Sequence, residues 1–67
     1  MPEIRFLRLA EVKKRTGLSK TTIYREIDRQ KFPQRVRLSQ NSVAWLESEI
    51  IDWMNQRLSS RDNGQTV

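Results

Sequence analysis

Gly17 is one of only two glycines in this 67-residue chain, and it falls between two segments with helical apolar spacing. Before it, in "LAEVKKRT", Leu9, Val12 and Thr16 share one helical face, with Lys13 at its border and Glu11, Lys14 and Arg15 off it. After it, in "GLSKTTIYREI", Ile23 and Ile27 stand four apart. Glycine adopts the left-handed conformation at a helix C-terminus with least strain, so Gly17 predicts a stop. Ser19 then predicts a start, because its hydroxyl can accept from the free N–H of Thr21 or Thr22. Leu18, just before that cap, is placed to pack on Ile23 as a hydrophobic staple. The first helix has no good cap near Ala10, so its beginning is loosely defined.

The remaining pattern completes one small domain. "IRFLRL" alternates briefly, as a short strand or extended arm does. The second helix runs from Ser19 to about Arg29, and "QKFPQ" ends it, since the residue before Pro33 avoids helical angles. In "RVRLSQNSVAWL", Val36 and Leu38 alternate with Arg35 and Arg37, and Val43 and Trp45 with Ser42 and Ala44. Ser39, Gln40 and Asn41 between these runs are turn residues, so a hairpin is predicted. Leu46, Ile50, Trp53 and Met54 then follow the spacing of an amphipathic helix. The expected core is Ile23, Ile27, Phe32, Trp45 and Trp53. The domain is predicted to occupy residues 1–58, with 59–67 as a flexible tail that has almost nothing to bury. The fold class that results is mainly α with a small β-hairpin, a winged helix-turn-helix.

Composition removes whole classes of function. With no cysteine and no histidine, the chain lacks thiolate ligands, disulfides and the commonest general base. Glu47, Glu49 and Asp52 suggest a metal or an acid pair, but acids near a helix start are favoured by its dipole alone. No catalysis, metal or cofactor is expected. No apolar run approaches the length of a membrane span, and the N-terminus lacks the apolar core of a signal peptide, so a cytoplasmic protein is expected.

Charge supplies a partner. Residues 1–40 carry eleven Lys or Arg against four acids, a balance of +7, while residues 41–67 carry two against four, a balance of −2. Such asymmetry suits a polyanion, because basic groups displace condensed counterions from phosphates. Helical phase then gives a direction. With Ile23 at zero and about 100° per residue, Thr21 falls near 160°, Arg25 near 200°, Arg29 near 240° and Thr22 near 260°. These residues face away from the core, with Asp28 as the one acid among them, and Ser19 and Lys20 occupy the N-terminal tip. Arginine can pair with guanine O6 and N7, and threonine can meet a thymine methyl. Tyr24 borders the core and its hydroxyl can reach a phosphate. Arg35 and Arg37, with Gln40 and Asn41 at the hairpin tip, suit a wing beside such a helix.

Each feature also has a plainer explanation. The arginines suit a solvated face, Ser19 a cap, Tyr24 the edge of a core, and the hairpin tip a polar turn. Arg25 and Asp28 are ordinary helix neighbours, whereas Arg25 and Arg29 repel, which a nearby phosphate would relieve.

The run "LRLAEVKKRTGLSKTTIYREIDRQKFPQRVRLSQNSVAWLESEIIDWM" resembles the AlpA-type phage and prophage regulators, small winged helix-turn-helix proteins related to excisionases and to MerR-type regulators. The matching pieces are "TGLS" at Thr16–Ser19, "TTIYR" at Thr21–Arg25, "FP" at Phe32–Pro33, "VRL" at Val36–Leu38, "VAW" at Val43–Trp45 and "EIIDWM" at Glu49–Met54. The resemblance covers about positions 7 to 58. It implies a regulator that binds double-stranded DNA in a prophage or genomic island, with RNA polymerase or an integrase as protein partners. Some family members activate an integrase gene and others act as excisionases that bend DNA. On that analogy Ser19 to Arg25 carry DNA contact. Two departures stand out. Gln30 replaces a glycine after the second helix, so that helix end must close without the left-handed glycine. Ser39, Gln40, Asn41 and Ser42 replace a wing with glycines and an arginine, which leaves the charge to Arg35 and Arg37. A rival of another class is a protein-interaction module on a helix-turn-helix scaffold, for which an exposed Ile51 would be a hint. The oligomeric state and the target sequence stay open.

Overall fold

The computed structural model describes residues 3–61. The elements run β1 (Phe6–Leu7), α1 (Leu9–Thr16), α2 (Lys20–Asp28), β2 (Val36–Ser39), β3 (Ser42–Leu46) and α3 (Glu47–Ser59). The fold is a winged helix-turn-helix, with one addition to the predicted hairpin. β1 pairs with β3, so the sheet has three antiparallel strands in the order β1-β3-β2. α3 extends through Ser59, one residue past the expected boundary, and Ser60 caps it. The rest of the expected tail, 62–67, lies outside the described residues.

The turn between α1 and α2 forms as the sequence predicts. Gly17 has φ 75° and its N–H donates to the Lys13 carbonyl at 2.8 Å. A Cβ at Gly17 would meet nothing within 4 Å, so the backbone angle, not space, requires the glycine. The Thr16 hydroxyl donates to the Val12 carbonyl at 2.8 Å and accepts from the Leu18 N–H at 3.3 Å. Ser19 is the N-cap, its hydroxyl accepting from the Thr22 N–H at 3.1 Å. Leu18 packs against the core cluster that contains Ile23, as a staple should.

The end of α2 closes without a glycine, as the sequence requires. Gln30 itself takes the left-handed conformation, at φ 60°. The Lys31 N–H donates to the Glu26 carbonyl at 2.8 Å and the Gln30 N–H to the Ile27 carbonyl at 2.9 Å. These two bonds are the Schellman closure that glycine usually makes. The backbone thus keeps the geometry while a side chain bears its cost.

The core holds Leu7, Val12, Ile23, Ile27, Phe32, Trp45 and Ile50, all buried. Leu7 lies opposite Trp45 in the sheet register, which puts both on the core face. Trp53 is not in this core. It is half-buried at the rim, edge-on to Phe32 with centroids 4.8 Å apart. The alternation in β2 also fails to translate into burial, because all four of its residues are exposed. β2 is an edge strand with one extra residue at Leu38, where the register shifts between Arg37 and Ser39.

Two indoles fix the connection between α2 and β2. Trp45 Nε1 donates to the Pro33 carbonyl at 3.1 Å and Trp53 Nε1 to the Lys31 carbonyl at 2.8 Å. This segment has no regular structure, so its carbonyls need such partners. Arg15 does similar work elsewhere: its guanidinium meets Glu11 and Glu47 at 3.0 Å each, joining α1 to the start of α3.

Candidate nucleic-acid interface

The outer face of α2 carries the residues that helical phase places there. Lys20, Thr21, Arg25 and Arg29 are exposed, while Thr22 and Tyr24 are half-buried. Ser19 is exposed but occupied. Its hydroxyl accepts from the Thr22 N–H and donates to the Thr22 hydroxyl at 3.0 Å, so capping accounts for both of its hydrogen-bonding roles.

Arg25 and Arg29 are not left to repel one another. The Glu26 carboxylate lies 3.5 Å from Arg29 Nη1 and 4.0 Å from Arg25 Nε. The acid that serves this face is Glu26, not Asp28, the acid that helical phase puts there. The signal was available, because Glu26 and Arg29 are separated by the three residues that make helix neighbours. Asp28 takes no ion pair among the described residues.

Tyr24 joins the helix to the wing. Its ring meets Trp45 edge-on, with centroids 6.3 Å apart, and the Arg35 guanidinium sits 5.2 Å from its centroid. A cation over an aromatic face is attracted by the ring quadrupole. Arg35 is therefore not a strand residue, as the alternation suggested. It lies one position before β2, in the segment anchored by the two indoles, and leans on α2. Arg37 lies in β2 opposite Val43, and Gln40 and Asn41 form the two-residue turn between β2 and β3. All three are exposed, and no hydrogen bond, ion pair or ring contact among the described residues joins them to α2. The wing tip is thus polar and uncharged, and the cationic part of the wing is its base.

The described acids of the chain's second half, Glu47, Glu49 and Asp52, lie elsewhere. Glu47 is committed to Arg15. Glu49 and Asp52 line an open groove of about 630 Å³ between residues 30–34 and α3, with Phe32, Trp53 and Arg57. Arg57 stacks over Trp53 at 4.9 Å. Among the described residues no three acids, histidines or cysteines gather as metal ligands would. The Arg15 hydrogen bond holds the Glu11 carboxyl below its ordinary range, and the hydrogen bonds to Glu11 and Glu47 raise the Arg15 guanidinium. No helix among the described residues is long and apolar enough to cross a membrane.

Comparison with known proteins points the same way. The family model described as prophage CP4-57 regulatory protein (AlpA) matches residues 5–58. An uncharacterized protein of Enterobacteria phage P4, ORF88, is 45% identical over 96% of this chain and 76% of its own length. The DNA-binding transcriptional activator AlpA of Escherichia coli K12 is 37% identical over 81% of this chain and 86% of its own length.

Proposed function

This chain belongs to the AlpA family of prophage regulatory proteins, and from that premise we propose that it is a sequence-specific DNA-binding transcriptional regulator acting on prophage or genomic-island genes in the cytoplasm. The observation that carries the reading is the face of α2. Lys20, Thr21, Arg25 and Arg29 project outward from a helix whose opposite side is locked into the core by Ile23 and Ile27. A helix held this way enters the major groove as a rigid unit, with its N-terminal half at the base edges. Lys20, Thr21, Thr22 and Arg25 are the base readers, Arg25 through guanine. Tyr24, Arg29, Arg35 and Arg37 contact phosphates and set the register, Ser19 shapes the tip, and Gln40 and Asn41 touch the backbone from the wing.

Activation of an integrase gene, with RNA polymerase as the protein partner, is the finer reading, because the E. coli relative is a transcriptional activator. Selection of bound sequences from a random duplex pool tests the function directly, and a pool with no enriched site counts against it. Arg25→Ala should then weaken binding to the selected site by roughly 1–3 kcal/mol and relax the base preference at one position. Unchanged affinity across salt concentrations would remove Arg25 from the set of readers.

A further inference from the structure

Glu26 is the one acid that α2 sets among its arginines. Its side chain is 16% exposed, against 54% for Arg25 and 61% for Arg29. Among the described residues its carboxylate pairs with these two cations alone. It lies at the flank of the helix, between the core side and the outer face. It is therefore placed to hold the arginines without covering them.

A carboxylate there acts differently on two kinds of DNA contact. Sequence-independent binding is dominated by phosphates. A guanidinium that already has an anion gains less from a phosphate, because it exchanges one anion for another. Reading guanine is different. The O6 and N7 acceptors are neutral, and the planar guanidinium has donors to spare for them while one edge faces the carboxylate. The carboxylate also limits the directions in which the fork can point, which lowers the ordering cost of a base contact.

We propose that Glu26 is a specificity-determining positioning residue, which holds Arg25 and Arg29 back from indiscriminate phosphate contact and aims Arg25 at base edges. This deepens the DNA-binding reading and rests on it. The test uses Glu26→Gln in the full chain, with thermal melting to show that the fold is intact. Affinity is measured for the selected site and for a random-sequence duplex over a range of salt. The expected result is a rise of roughly two- to fivefold in random-duplex affinity, the scale of one exposed ion pair, with a steeper salt dependence. Affinity for the selected site should change by less, so the ratio of the two falls. A Glu26→Gln change made on top of Arg25→Ala and Arg29→Ala should leave random-duplex affinity unaltered. If both affinities rise by one factor, or if the gain persists without the arginines, Glu26 is merely a repulsive charge and the proposal is overturned. A wild-type protein that binds no duplex at any salt would instead refute the DNA-binding reading itself.

Discussion

The C-terminal ends of α1 and α2 solve one geometric problem with different residues. Both close through a left-handed position, at Gly17 with φ 75° and at Gln30 with φ 60°. Glycine does this without a Cβ to strain. For any other residue the conformation costs about 1–2 kcal/mol, because the Cβ crowds the following carbonyl oxygen. At Gln30 that cost is offset by two closing hydrogen bonds and by the nearby indole of Trp53 on the Lys31 carbonyl. The first turn is thus specified locally by its own residue. The second is imposed by what surrounds it, and a glycine there is a convenience of the backbone rather than a requirement of the fold.

Swapping the two solutions tests this contrast. Gly17→Ala should cost about 1–2 kcal/mol in denaturant unfolding, with an unchanged slope, through the backbone angle alone. Since no atom lies near the missing Cβ, Gly17→Asn should cost less than Gly17→Ala, as asparagine tolerates the left-handed region. Equal costs would mean that packing, not conformation, selects glycine. Gln30→Gly should do the reverse and stabilise by roughly 0.5 kcal/mol, the relief of strain being partly cancelled by the freer unfolded chain. A loss of stability would show that the Gln30 side chain contributes more than its strain removes.

The smallest effect concerns the stitch beside the first turn. Arg15 lowers the Glu11 pKa, so this contribution to stability is fully present above the ordinary carboxylate pKa. It should be lost as pH falls through the lowered value, and Arg15→Gln should flatten that part of the stability profile. An identical acid limb in the variant would assign the loss to other carboxylates.

The same contrast explains what could be read in advance. The first turn, the Ser19 cap and the outward face of α2 follow from neighbours in the chain, and spacing alone reveals them. The three-stranded sheet does not, because β1 pairs with a strand some forty positions away and only two residues long on its own side. β2 misled for a related reason: alternation reports a periodic strand, while burial depends on what covers it, and nothing covers an edge. The alternation of "RVR" predicts a strand at Arg35, yet Arg35 lies one position before β2 and its guanidinium meets the Tyr24 ring of α2, a contact that spacing does not reveal. Glu26 is legible from its i,i+3 spacing to Arg29, whereas helical phase alone hides it by putting it at the border of the outer face.

The two tryptophans have a consequence for observing this molecule. Both donate to carbonyls of the short segment 31–33, yet one is buried and the other half-exposed under an arginine. They are unequal natural fluorophores attached to the same piece of chain. Trp45 lies one aromatic ring from the outer side of α2, through Tyr24, while Trp53 faces the groove on the far side of the loop. With one of the two replaced by phenylalanine, the emission and quenching of the other indole report on its own surface, with no label added.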